Sequence, residues 1–483
     1  MEQTNEPQRQ TVAQMRHLYN RAAFGATPAE LDAMSRQPLR RVIRKLLDDS
    51  KAVEPLQVAN TDQYDSRKEL KGMVRKGMID REALRMRIRE NAEMVRDLNI
   101  QWLDRMAAGK GALREKMALF WHGHFAVRAQ GRNAQVMQQY GNVIRQNALG
   151  SFGDLLMVVS KTPAMLQFLS NQQNRKNAPN ENFAREVMEL FTLGRGNYKE
   201  NDIKEAARAF TGWQFTPEGG FVFRERVHDE GQKTIFGKTG AFRGEDVIKL
   251  LLDKPETARF VVGKIYRYFV NETPDENRIA VLADQFHENN YQIGDLMESI
   301  FAADWFYDKA NMGAHVKSPV ELLAGMRHAL GVTFDQPQPQ VFVQRTLGQV
   351  LFYPPNVAGW PGGRNWIDSS SLLFRMKLPD YVLKAAEVNV RAKDEGDVNA
   401  LVLARKGKNQ FTTNVNWDEF DKPFARTDEA ALPDVLATYL LPFPLRAEQR
   451  DLLLKQLKPA QTQSEKIKTL TVGIMSLPEY QLS

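Results

Sequence analysis

The strongest constraint on this chain is the interval at which its apolar side chains return. From Leu84, the positions Ile88, Val95, Leu98, Trp102 and Met106 recur at steps of three, four or seven residues, with Arg and Glu between them. An α-helix, which repeats every 3.6 residues, puts all six on one stripe; a strand, which alternates, does not. Gly109 marks the end of this helix, and a second is expected from about Leu113 to Trp121. Met86, Met94, Met106 and Met117 fall along the two segments and read as core filler.

The same period recurs downstream. Asn180 to Leu193 reads as a helix behind Pro179, closed by Gly194, and another follows from about Ile203 to Phe210. Helices are expected again at Asp246–Leu252 and from Pro255 through Tyr268. In Ser318-Pro319-Val320-Glu321, Ser318 can cap, Pro319 suits the first helical position and Glu321 completes a capping box, with Gly331 as the stop. Between Trp213 and Phe236 the pattern changes: Gln214-Phe215, a Pro-Glu-Gly-Gly turn at 217–220, then Phe221-Val222-Phe223. The expected fold is mainly α, one large multi-helix globular domain with a small β-hairpin excursion around residues 213–236. Residues 1–385 form the main helical domain. Residues 386–430, polar and without period, read as a linker or insertion, and 431–483 as C-terminal helices packing on the main domain.

Composition narrows the function classes. The chain has 483 residues, 42% hydrophobic and 26% charged, enough to bury a core and too apolar for global disorder. Its net charge of +7 comes from 66 basic and 59 acidic residues that interleave, as in Arg114-Glu115-Lys116. A nucleic-acid groove would cluster the basic residues with stacking aromatics, so no nucleic acid is expected. With no Cys, disulfides, thiolate nucleophiles and iron–sulfur clusters are excluded. Met1 to Gln10 lacks the apolar core of a signal peptide, and no apolar run nears the roughly 18 residues of a membrane span. The chain as given is therefore expected in the cytoplasm, or exported if a leader was removed.

Four segments place polar groups where chemistry can be built. Phe120-Trp121-His122-Gly123-His124-Phe125 holds two of the seven histidines. Gly123 lets the helix break there, and in an extended segment His122 and His124 would point the same way, as half of a zinc, iron or manganese site. The alternative is two core histidines bonded to backbone carbonyls. On the 180–193 helix, Glu186 falls between Leu190 and Leu193, so its carboxylate must be paired, protonated or metal-bound. Glu181, Arg185 and Glu189, spaced by four on the other face, read as surface ion pairs. His228-Asp229, ahead of Gly231 and Lys233, follows the extended excursion and offers either a base or metal ligand, or an Asx-type turn. In the Pro354–Gly363 loop and beyond it, Trp360 and Trp366 can either stack on a ligand or plug the core. Gly362-Gly363 lacks the setting of a phosphate loop, and no Gly-x-Ser-x-Gly elbow occurs.

These words together resemble the uncharacterised bacterial family known as domain of unknown function 1800. The resemblance rests on His17–Gly25, Phe120–Phe125, Pro163–Leu166, Pro179–Glu186, Glu189–Gly194, Ala209–Trp213, His228-Asp229, Lys317–Leu322 and the Pro354–Gly363 loop. It runs from about residue 13 to 380, with the Leu477-Pro478-Glu479-Tyr480-Gln481 tail besides. It implies a helical fold, frequent twin-arginine export leaders, which this chain departs from, and a sulfatase-like protein encoded nearby as a partner or pathway neighbour. A second departure is Ser170-Asn171, where the resemblance implies Asp-Asn. It implies no established reaction.

The resulting expectation is a protein that binds a divalent metal ion or a small polar ligand, with metal-assisted hydrolysis as the reaction class if it is an enzyme. His122, His124 and Glu186 are the candidate metal ligands. Glu186, His228 and Asp229 are the candidate catalytic groups, and Trp360 and Trp366 the candidate ligand contacts. The alternative is a non-catalytic scaffold, an assembly partner of the sulfatase-like protein, in which the same side chains form a buried hydrogen-bond network.

Overall fold

Thr11 opens the first helix, Val12–Ala22, by a reciprocal cap: its hydroxyl accepts from the Gln14 N–H while Gln14 Oε1 accepts from the Thr11 N–H. Thr27 with Glu30, Ser318 with Glu321 and Thr462 with Glu465 repeat the device at Pro28–Ser35, Pro319–Leu330 and Gln463–Met475. The computed structural model describes residues 11–58, 81–129, 134–216, 218–384 and 411–483; the N-terminal decapeptide read above for a signal lies outside them.

The apolar stripe of the Arg81–Ala107 helix buries Val95, Leu98, Trp102 and Met106. Its first turns miss the core: Met86 is 59% exposed, so the methionine series is core filler only at Met106 and Met117, with Met94 partly buried. The next helix, Ala112–His124, runs past the expected stop through Gly123 and is buried on nearly every face. Even its charges are inside. Glu115 accepts from Arg145 Nε and Nη2 at 2.8 Å each and from Trp102 Nε1 at 3.0 Å, so this carboxylate is both paired and hydrogen-bonded.

The helix behind Pro179 is α-helical over Glu181–Glu186 and then widens into a π-turn, Val187–Thr192, closed by the Leu193 N–H donating to Met188 O. The extended excursion is a hairpin, Trp213–Phe215 antiparallel to Phe221–Phe223, followed by a second, Lys233–Ile235 with Lys238–Gly240, which carries it past residue 236. Among the described residues every sheet is two-stranded; the fold is mainly α.

Within 386–430, residues 386–410 lie outside the described residues. The remainder is packed: Thr413–Asn414 pairs with Thr333–Phe334, and Phe411, Phe420 and Phe424 are buried. Leu436, Ile467 and Leu470 of the C-terminal helices share one hydrophobic core with Leu18 and Val320. The tail docks as a 3₁₀ turn, Pro478–Gln481, followed by extended Leu482, with Lys317 N–H donating to Gln481 O at 2.9 Å and Ser483 N–H to His315 O at 2.9 Å. Among the described residues no helix is long and apolar enough to cross a membrane.

One backbone contact joins two of the segments singled out above. Gly359 has φ +81°, and a Cβ there would lie 2.2 Å from the Gly123 carbonyl oxygen. Only a glycine lets the Pro-rich loop lie against the end of the Ala112–His124 helix.

Candidate functional site

Because the Ala112–His124 helix continues through Gly123, His122 and His124 leave it on different faces. The expected convergence from an extended turn does not occur. His122 is fully buried among Trp102, Tyr140, Phe352 and Trp360, with ring centroids 5.2–5.9 Å away. Its Nε2 accepts from the Phe352 N–H at 2.9 Å, and its Nδ1 has no partner. Burial alone lowers this imidazole to about 3.

His124 turns to the π-turn. Its Nε2 donates to Phe191 O at 3.1 Å, and its Nδ1 accepts from Lys264 Nζ at 3.3 Å. Lys264 also donates to Leu190 O at 3.2 Å. The wider turn leaves these carbonyls without helical donors, and two side chains from other segments satisfy them. Burial, then the Lys264 charge, holds His124 well below the ordinary imidazole range. Burial lowers Lys264 itself to about 8.

Glu186, at the α-to-π junction, is half-buried and makes no hydrogen bond or ion pair among the described residues. Burial, then the neighbouring Glu189, raises its carboxyl. Arg185 pairs with Glu181 at 3.2 Å and Glu200 at 2.8 Å, while Glu189 turns to Arg195 at 2.5 Å and the Tyr198 hydroxyl at 2.6 Å. Trp366 is buried at 6% exposure and Trp360 packs on His122, so the loop tryptophans contact the core. Among the described residues no three His, Asp or Glu side chains group closely enough to hold a metal ion; His122, His124 and Glu186 form no such set.

His228 and Asp229 are held in one hydrogen-bonded turn. The turn after the Glu200–Ala209 helix presents Thr211. Its carbonyl accepts from His228 Nδ1–H at 2.8 Å, and its hydroxyl lies 3.0 Å from the same nitrogen. That hydroxyl donates to Arg208 O at 2.6 Å and accepts from the Asp229 N–H at 2.8 Å. The proton is thus assigned to Nδ1, which leaves Nε2 with its lone pair and no protein partner. Burial lowers the imidazole, against the raising effect of the Thr211 carbonyl bond and with Lys233 and Arg243 adding to the lowering, which favours the neutral ring. Gly212 makes the fit possible: it has φ +84°, and a Cβ would lie 2.9 Å from Arg224 O and 3.3 Å from His228 Cβ.

Asp229 has another task. Its carboxylate takes a bidentate pair from Arg208, at 2.8 and 3.1 Å, and accepts from Gly231 N–H at 2.9 Å. The Arg208 pair holds its carboxyl below the usual range, so this group is a poor proton acceptor. Lys233, fully buried, donates to Asp229 O and Gly231 O at 2.6 and 2.9 Å and locks the loop. His228, itself only 3% exposed, lines an open polar cleft with Lys176, Asn177, Arg226 and Glu230.

Thr211 and Arg208 carry no signal in the sequence, and Lys233, which beside an Asx-type turn reads as solvated, is buried. Thr211 lay within the Ala209–Trp213 word, but nothing in its spacing pointed at residue 228. Residues 17–482 match the model of a family described as Protein of unknown function (DUF1800). The chain belongs to this family. No curated protein and no solved structure matches it. In this member of the DUF1800 family, the segments Pro179–Glu186, Ala209–Trp213 and His228-Asp229 are tied together through Asn174 and Thr211: Asn180 N–H donates to Asn174 Oδ1 at 2.9 Å, Gly212 N–H to Asn174 O at 3.4 Å, and Thr211 holds His228.

Proposed function

We propose that this DUF1800 protein binds a small polar ligand in the His228 cleft, where Nε2 of the neutral imidazole accepts a proton or hydrogen bond from it. One observation carries the reading. Thr211 takes up Nδ1–H, so the free lone pair belongs to the nitrogen left without a protein partner. If the ligand is a substrate, general-base hydrolysis is the class such a nitrogen serves, with the imidazole deprotonating water and returning the proton to the leaving group. Asp229 acts as a positioning residue, anchored by Arg208, and Lys176 and Arg226 offer charge to an anionic portion of the ligand. Metal-assisted hydrolysis draws no support from the donor set among the described residues.

Treatment with diethyl pyrocarbonate and peptide mapping tests the reading. His228 should be carbethoxylated while His122 and His124 are spared. Protection of His228 under native conditions would end it. Hydrolysis of p-nitrophenyl esters and phosphates by wild type and His228→Gln tests the catalytic part; equal rates would remove the base.

A second reading, a scaffold partnering a sulfatase-like protein, is favoured by His124, which spends both ring nitrogens on Phe191 O and Lys264. It expects a tagged chain to retain the partner on purification, and His228→Gln to leave that retention unchanged.

A further inference from the structure

Away from the His228 cleft, positive charge collects in the interior around one carboxylate. Arg16, Arg21, Lys116 and Arg375 are 6%, 1%, 2% and 0% exposed, and Lys317 is partly buried beside them. Glu321, 3% exposed, is already spent: Oε2 accepts from Ser318 N–H at 2.7 Å and His315 Nε2 at 3.0 Å, and Oε1 pairs with Lys116. Glu272 adds a second carboxylate near Arg21. Main-chain carbonyls take part of the load. Arg16 donates to Thr438 O and Pro442 O, Arg21 to Val270 O, Arg375 to Lys317 O, and Lys317 to Tyr480 O at 2.9 Å. Carbonyl dipoles soften a charge without cancelling it, and an uncompensated buried cation is costly. The deficit is visible atom by atom: Arg21 Nε and Nη1, and Arg375 Nε and Nη2, have no hydrogen-bond partner among the described residues.

A small pocket of about 30 Å³ opens on this cluster, lined among others by Arg16, Asn20, Lys116, Lys317, Glu321 and Tyr480. The donors at its wall are not exhausted. Lys116 Nζ spends its N–H groups on Asn20 O and Glu321, Lys317 Nζ spends one on Tyr480 O, and the Asn20 side-chain amide makes no hydrogen bond among the described residues. Residues from three remote segments meet here, Asn20 of the first helix, Lys317 and Glu321 at the start of the Pro319–Leu330 helix, and Tyr480 of the tail, although Ser318–Glu321 reads from sequence only as a cap.

We propose that this pocket binds a small oxyanion, a phosphate or carboxylate group, held by Lys116, Lys317 and Arg16 with the Asn20 amide as a neutral donor. An anion there offsets the cation excess that Glu321 leaves. It would also reverse the effect of burial, which pushes Lys317 down to about 7 and Lys116 below its ordinary value. Binding should therefore take up protons.

Sodium phosphate, sulfate and acetate, each against chloride at equal ionic strength, provide the test on the full chain. At least one oxyanion should raise Tm saturably where chloride does not, and calorimetry in two buffers of different ionisation enthalpy should show proton uptake. A preference for phosphate over acetate would assign the site to phosphate groups, and the reverse to carboxylates. Lys317→Met should raise Kd at least tenfold. Asn20→Asp, at a partly exposed position that keeps the fold should Lys317→Met lose it, should do the same by placing a like charge in the pocket. Equal Tm shifts with chloride, no shift with any of the three anions, or an unchanged Kd in Asn20→Asp would overturn the proposal. His228→Gln should leave the anion response intact, which separates this site from the cleft.

Discussion

Gly359 lies so close to Gly123 that a Cβ on Gly359 would sit 2.2 Å from the Gly123 carbonyl oxygen, whereas a Cβ on Gly123 would meet nothing within 4 Å. The two glycines therefore respond differently. Gly359→Ala combines a left-handed φ, costing about 1–2 kcal/mol, with a backbone clash, and should destabilise by more than that figure. Gly123→Ala, in helical backbone with open space, should be neutral or stabilising by about 0.5–1 kcal/mol. Urea melts of the two variants decide this; a tolerated Gly359→Ala would mean that the loop does not dock there.

The buried Lys116–Glu321 pair should behave asymmetrically. Glu321→Gln leaves Lys116 without its counter-charge and should cost about 3–5 kcal/mol, while Lys116→Met together with Glu321→Gln should recover a measurable part of the loss. A double-mutant cycle with no coupling energy would contradict the pairing.

Stability should fall in mild acid. Burial lowers His17 and His122 to about 3, below the 6.5 of an exposed imidazole. Between these values the unfolded chain binds the extra protons. Stability is full above about 6.5 and is lost as pH falls toward 3, at about 1.4 kcal/mol per pH unit for each such histidine. Denaturant melts between pH 6 and 4 should show this slope, reduced by one histidine's share in His122→Gln. A pH-independent stability over that range would show the imidazoles to be accessible.

Thr211 should matter through its hydroxyl. Thr211→Val removes the acceptor of the Asp229 N–H and should cost about 1–3 kcal/mol, with Thr211→Ser restoring most of it. Because the Thr211 carbonyl remains, the Nδ1–H tautomer of His228 should persist, which ¹⁵N shifts of the imidazole report. A switch to the Nε2–H form would mean that the hydroxyl sets the tautomer.

Much of the fold was legible residue by residue. The Ser318–Glu321 cap, the Gly331 stop and the hairpin near Phe221–Phe223 stand where local spacing put them. The site was legible only in part. His228 stood out as a rare imidazole after an extended stretch, yet Asp229 beside it is taken by Arg208 from another helix. Glu321 read as a capping residue; that it also faces buried cations could not be seen, because Lys116 and Arg375 come from remote segments.

Helices, caps and turns depend on hydrogen bonds and side-chain faces within about a turn of chain, so the order of residues alone determined them. The protonation, partner and accessibility of each polar group depend on what the rest of the chain packs around it. Tertiary structure therefore decided that His122 and His124 part, that His228 Nε2 is left without a partner among the described residues, and that buried cations from remote segments gather near Glu321.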